Sequence, residues 1–252
     1  LINNESGGTA FLGRQRYSGE RYHSGRMAQW CLWTTALTEA NLQTLWEAGP
    51  TANWTTDFAT GMVVYYGMGN HNTLGGRPAD TASTVYDRSG NGNDGTTSGS
   101  MTAPSKGNNI VTRYNVKHST DLKNFGSSAI YFDGDNDGLE IPQFLTNYIT
   151  DSNHAWTMEA WVFYSHDGTN DYPNIFNSTS DHNVNLRYQR GNGRLDFVLS
   201  TNGTSWTSAF DPPDNTFNES TWVHVAVQYT TTAIEIYQDG ILLMSRAQTT
   251  NI

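Results

Sequence analysis

The chain has 252 residues, enough for one large all-β domain or two small ones, and its 12% of aromatics, including 8 Trp, marks a folded chain, not a disordered one. A net charge of −10 excludes a phosphate-binding surface, because nucleic-acid binders need clustered Lys and Arg; the same acidity suits divalent cations. Cys31 is the only cysteine, so no internal disulfide forms, and no apolar run approaches the roughly 20 residues of a membrane span.

The chain begins at Leu1 without a secretory-leader pattern, as expected of a processed protein or a piece of a longer one. Its first readable stretch is GRMAQWCLWTTALTEANLQTLWEAGP (25–50). A strand-like run around Cys31 places that thiol between Trp30 and Leu32, where a buried small hydrophobe is expected and not a nucleophile. A helix follows over 39–48. Thr38 is its N-cap, Leu37 and Leu42 form a hydrophobic staple, and Leu42, Leu45 and Trp46 make one apolar face. Gly49 stops it and Pro50 forbids continuation. Residues 51–57 read as a joint.

Beyond the joint the pattern has period two. Strands are predicted at 62–68, 128–134, 157–164, 183–189, 194–200 and 221–230, with a long loop region at 88–109. Met158, Ala160, Val162 and Tyr164 share one face, as do Val223, Val225, Val227 and Tyr229. The strands at 233–238 and 241–245 are joined by Asp239-Gly240, the strongest short hairpin signal. Short strands divided by Gly, Asn and Asp turns predict an all-β antiparallel sandwich of jelly-roll type with one short helix.

Four blocks together resemble the laminin G-like, concanavalin A-like lectin/glucanase jelly-roll family. VVYYGM…VYDRSGNGNDG (63–95) is similar to its opening strand and Asp-x-Ser-Gly-x-Gly loop, and AIYFDGDNDGLEIP (129–142) to its Phe-Asp-Gly block. WTMEAWVF (156–163) and WVHVAVQY…IEIYQDG (222–240) are similar to its central strands and late hairpin. A fifth block, residues 11–49, resembles the last strands and closing helix of the family, which there follow the late hairpin. Here the order is displaced: 1–50 are closing strands and helix, 51–57 a joint, and 58–252 the main body. A tandem array cut between modules, a permuted single domain, or a tail completing a neighbouring subunit would each produce that order. In all three, residues 11–35 are expected to cover the edge of the sheet built from 222–245.

DGDNDG (133–138) is the densest acidic cluster. Asp133, Asp135 and Asp137 match the first half of an EF-hand loop, but Phe144 stands where the bidentate Glu belongs. A looser calcium site with Asn136 or carbonyl oxygens competes with a hairpin turn, which uses the same residue types. Asp87 in DRSGNGNDG (87–95) is read as a turn former before a cation ligand. His71, His118, His154, His166, His182 and His224 lack metal-ligand spacing. No Glu-x-Asp-x-Glu strand, Gly-x-Ser-x-Gly or Cys/His pairing supports an enzyme, and Glu159 and Glu235 read as lone acids on apolar strands. Trp54, Tyr172, Tyr188 and Trp206 lie in or near polar turns and are candidates for stacking on sugar rings, against a bland role as core cover. Asn4, Asn53, Asn177, Asn202 and Asn218 head Asn-x-Ser/Thr sequons, relevant if the protein passes a glycosylating pathway.

The expected function is a non-catalytic extracellular structural or adhesion module of a surface protein, fibre, filament or virion. It would self-associate, or join neighbouring repeats, through residues 1–50. The alternative is a calcium-assisted glycan-binding module. Calorimetric titration with calcium separates the site from the turn: heat lost on Asp135→Asn marks a site, and no heat with Asp135 intact leaves a turn.

Overall fold

The computed structural model describes residues 10–15, 21–49, 54–68, 76–81, 84–97, 117–119, 129–134, 138–141, 153–165, 171–178, 184–200, 205–206 and 208–248. In chain order these form β1 (Ala10–Leu12), β2 (Arg14–Gln15), β3 (Arg21–Tyr22), β4 (Ser24–Trp33), α1 (Glu39–Ala48), α2 (Trp54–Asp57), β5 (Met62–Tyr66), β6 (Thr84–Val85), β7 (Gly95–Thr97), β8 (Lys117–Ser119) and β9 (Ala129–Asp133). The second half adds β10 (Leu139–Ile141), β11 (Trp156–Tyr164), β12 (Asn174–Ser178), β13 (Val184–Gln189), β14 (Arg194–Leu199), β15 (Ser208–Phe210), β16 (Trp222–Tyr229), β17 (Ala233–Gln238) and β18 (Ile241–Ala247).

Two antiparallel sheets make the predicted sandwich. Among the described residues the front sheet runs β15-β14-β13-β12-β1-β10-β7-β6, and the back sheet runs β18-β17-β16-β11-β4-β9-β8, with β5 also pairing β4. The N-terminal segment lies inside both. β1 bridges β12 and β10 in the front sheet, and β4 pairs β11 along one side and β9 and β5 along the other. The change of partner along β4 coincides with a bulge. Gln29 is the extra residue opposite Ala160 and Trp161, it has φ 55°, and its amide donates to the Tyr65 hydroxyl at 3.0 Å.

This corrects the expectation for 11–35. That segment does not cover the edge of 222–245, because β11 stands between β4 and β16, and the edge is β18 itself. The interior location demands close approach. A Cβ on Gly25 would lie 1.9 Å from the Phe163 carbonyl oxygen, and one on Gly13, where φ is +76°, 2.3 Å from the Phe132 ring. The link from β4 to α1 is held by the Thr157 hydroxyl, which accepts from the Leu37 N–H at 3.0 Å and donates to the Thr35 carbonyl at 2.8 Å.

The core between the sheets takes the inward residues that the alternation predicts, including Met158, Ala160, Val162, Val223, Val225, Val227 and Tyr229. Trp30 ties the layers together, stacked on Tyr66 of its own sheet at 5.6 Å and on Phe176 of the front sheet at 6.0 Å. A second core lies behind the back sheet, where Cys31, Trp33, Leu42, Leu45, Trp54, Tyr65, Trp161 and Tyr237 meet beneath the helices. For this reason all nine residues of β11 are buried, and Cys31 is the small buried hydrophobe that was expected.

Helix α1 has its predicted ends. The Thr38 hydroxyl accepts from the Asn41 N–H, and Gly49 (φ 54°) turns its N–H onto the Leu45 and Trp46 carbonyls. The Asp239-Gly240 turn has both φ angles positive, as its hairpin requires. The joint at 51–57 differs from a plain linker, since 54–57 form the short α2.

The loop 87–94 is organised by one carboxylate. Fully buried Asp87 accepts from the Tyr65 N–H (3.0 Å), the Ser89 N–H (2.8 Å) and hydroxyl (2.9 Å), and the Asn93 N–H (2.9 Å). Asn91 and Asn93 then donate to the Val63 carbonyl, and the buried Arg88–Asp80 ion pair (2.9 Å) closes the loop. Turn formation, not cation binding, uses up the Asp87 oxygens. Asp87→Ala leaves these donors buried and unmet, so urea unfolding is expected to show a stability loss of about 3 kcal/mol with an unchanged m-value.

Candidate functional site

The outward face of the front sheet gathers the charges that the core does not use. Along β13, Val184, Leu186 and Tyr188 point into the core, which sends Asn185, Arg187 and Gln189 outward. Along β14, Leu195, Phe197 and Leu199 point in, and Arg194, Asp196 and Val198 point out. The register then sets Asn174, Arg187 and Asp196 in one row across three strands. The β2–β3 hairpin of the N-terminal segment docks beside this row. The Asn174 amide donates to the Arg21 carbonyl (3.5 Å) and the Tyr172 carbonyl (3.0 Å), and the Gly13 N–H donates to the Ile175 carbonyl (2.9 Å).

Arg187 and Asp196 form a buried ion pair in which Nε (2.7 Å) and Nη2 (2.6 Å) both donate to Oδ2. The other carboxylate oxygen, Asp196 Oδ1, is buried without a hydrogen-bond partner, as are Asn174 Oδ1 and Asn185 Oδ1. Arg194 spans Asp211 (3.1 Å) and Asp214 (2.7 Å) and donates through Nε to Gln189. Burial outweighs the attraction of Arg187, and with neighbouring Asp211 it lifts the Asp196 carboxyl from 3.8 to about 6. The Tyr172 ring is flanked by two guanidinium groups, Arg21 at 4.4 Å and Arg187 at 4.5 Å from its centroid.

The aromatics singled out in the sequence do not form one surface. Trp54 is fully buried, stacked on Tyr65 at 5.5 Å, with its indole N–H donating to the Gly49 carbonyl. Tyr188 is buried between Tyr164 (4.9 Å) and Phe217 (4.7 Å), and its hydroxyl donates to Glu219. Both are corrected to core residues: Trp54 packs in the cluster behind the back sheet, and Tyr188 is an inward residue of β13 between the sheets. Tyr172 and Trp206 are half-buried and keep accessible surface.

Of the calcium candidates, Asp133 ends β9, whereas Asp135, Asn136 and Asp137 lie outside the described residues. Among the described residues no group of three His, Cys, Asp or Glu side chains is placed to hold a metal ion. Asn177 is corrected as a glycan acceptor: it is buried in β12 and its Oδ1 accepts from Asn185 at 3.3 Å. Asn218 is exposed, and Asn4, Asn53 and Asn202 lie outside the described residues.

Glu159 is not a lone acid. It meets His224 at 2.6 Å across β11 and β16, with both side chains fully buried behind the back sheet. Burial raises the Glu159 carboxyl, opposed by its bond to His224, and burial with the adjacent Glu159 raises the Cys31 thiol. A raised thiol under two helices serves packing, not nucleophilic attack. Cross-strand pairing of an acid and a histidine two positions out of register is legible only once the β11–β16 register is known.

A family model described as the concanavalin A-like lectin/glucanases superfamily matches residues 133–252, the stretch from the end of β9 through β18. No curated protein and no solved structure gives a match.

The raised Asp196 pKa has a definite sign. The folded state favours the protonated form, so this contribution is complete below 3.8 and is lost as pH rises through about 6. Chemical unfolding across that interval is expected to show falling stability on this account, and Asp196→Asn to flatten that part of the curve.

Proposed function

From a concanavalin A-like segment completed by strands that precede it in the chain, we propose a non-catalytic structural or adhesion module of an extracellular, cell-surface or virion protein. The observation that carries the reading is the interior position of β1 and β4. Removing that segment would divide both sheets, separating β12 from β10 and β11 from β9. A segment this essential to the sandwich, attached through one short joint, is suited to completing either its own body or that of a neighbouring repeat or subunit. The register supplies the test. Arg26 on β4 faces Tyr131 on β9, so cysteines at both positions, with Cys31→Ala, report which chain supplies β4. Oxidation at rising protein concentration is expected to give disulfide-linked dimers and longer species on non-reducing gels. Internally linked monomer alone at every concentration would remove the assembly reading.

A second reading, carbohydrate binding, is favoured by the outward face of the front sheet. At its edge Gln189, Arg194, Asp211 and Asp214 keep accessible polar groups, the kind that hydrogen-bond sugar hydroxyls. Tyr172 and Trp206 are the aromatic surfaces left to this reading. A calcium ion held by Asp133, Asp135, Asn136 and Asp137 would make recognition sensitive to chelator, and glycan-array binding with and without chelator decides that point.

A further inference from the structure

Behind the back sheet, Oε2 of Glu159 and Nε2 of His224 meet at 2.6 Å with neither side chain exposed. Trp161 packs on the imidazole at 5.3 Å, and the Cys31 thiol donates to the Glu159 carboxyl. With one titratable proton between them the two groups carry no net charge. Without it, a carboxylate is left in a site closed to water. The titratable groups that face the pair are Cys31 on β4, Tyr65 on β5, Glu235 and Tyr237 on β17, and Asp239 in the following turn, whose Oδ1 accepts from the His224 N–H at 2.9 Å. Asp87 acts through space on Cys31, Arg88 on Tyr65, and Glu39 of α1 on Tyr237. Arg88 is held by Asp80, so among the described residues no cation takes over the Glu159 charge once the proton is gone.

We propose that the Glu159–His224 pair is a pH-sensitive latch for the α1–α2 layer, shut while the pair holds its proton and loosened as rising pH removes it. The layer is the part of the fold that can yield. Neither helix pairs with a strand, so both can lift without dividing a sheet. The same core that encloses the pair packs Leu42 and Leu45 of α1 and Trp54 of α2 over Cys31 and Trp33. Thr157, two residues before Glu159 on β11, holds the link from β4 into α1. Water reaches the carboxylate when this cover moves. The sign follows from burial, which raises the Glu159 carboxyl above its ordinary 4.5 against the bond to His224. The stabilising contribution is therefore complete below 4.5 and is lost as pH rises through the raised value. The latch acts within one folded module and needs neither a partner copy nor a glycan.

Cys31 is the single thiol of the chain and lies beneath the layer, so its labelling reports opening. The full chain is treated with a thiol reagent from about pH 6 to about pH 9, above the range in which Asp196 titrates. The rate for the urea-unfolded chain at the same pH, divided by the native rate, gives a protection factor free of thiol ionisation. Protection is expected to fall by up to about tenfold per pH unit as the proton leaves. Glu159→Gln keeps a hydrogen-bonding partner for the ring but has no proton to lose, so its protection should stay level. Asp239→Asn removes the other carboxyl beside His224 and should keep the wild-type fall. A level profile in the unaltered chain, an unchanged fall in Glu159→Gln, or a fall abolished by Asp239→Asn overturns the latch. Nitrogen NMR of the histidine rings decides the matter without any substitution in the pair under test: the buried His224 signal is expected to change at the midpoint of the Cys31 profile, and a ring unchanged through that midpoint overturns the latch even where Glu159→Gln fails to fold.

Discussion

Each sheet of this sandwich is bridged by a strand drawn from the start of the chain, and most of the architecture follows from that constraint. β1 supplies backbone hydrogen bonds to both β12 and β10, and β4 to β11, β9 and β5. Interior strands satisfy donors and acceptors on both sides, so their loss would expose two new edges in each sheet. The side chains follow the same logic. Trp30 fills the space between the layers, and truncating a buried Trp costs about 3–5 kcal/mol. Gly13 and Gly25 permit contacts that any side chain would obstruct.

The helix layer follows from β4 as well. Its outward residues Cys31 and Trp33 need cover, and the chain provides it at once through α1, anchored by Thr157 on β11. Burial on both faces turns the back sheet into a middle layer. An acid on such a strand cannot reach water, which accounts for the Glu159–His224 pair: two polar groups stranded behind the sheet meet each other.

The front sheet has no helix among the described residues on its outward face, and there the polar residues are used differently. Arg187 and Asp196 pair, Arg194 spans two aspartates, and three oxygens remain without donors. Asp87, by contrast, meets four donors and builds the 87–94 loop.

Much was legible in the residues alone. Period-two runs, the Asp239-Gly240 turn and the capped helix at 39–48 are set by local sterics and hydrogen bonding, which act over a few residues. The sandwich class was legible for the same reason. The partners of β4, the burial of Trp54, Tyr188 and Asn177, and the Glu159–His224 contact were decided by tertiary structure alone. Each depends on which strands become neighbours and in what register, and a strand's own sequence does not carry that information. Alternation tells which residues share a face; only the packed neighbour determines whether that face meets water, a helix or another charge.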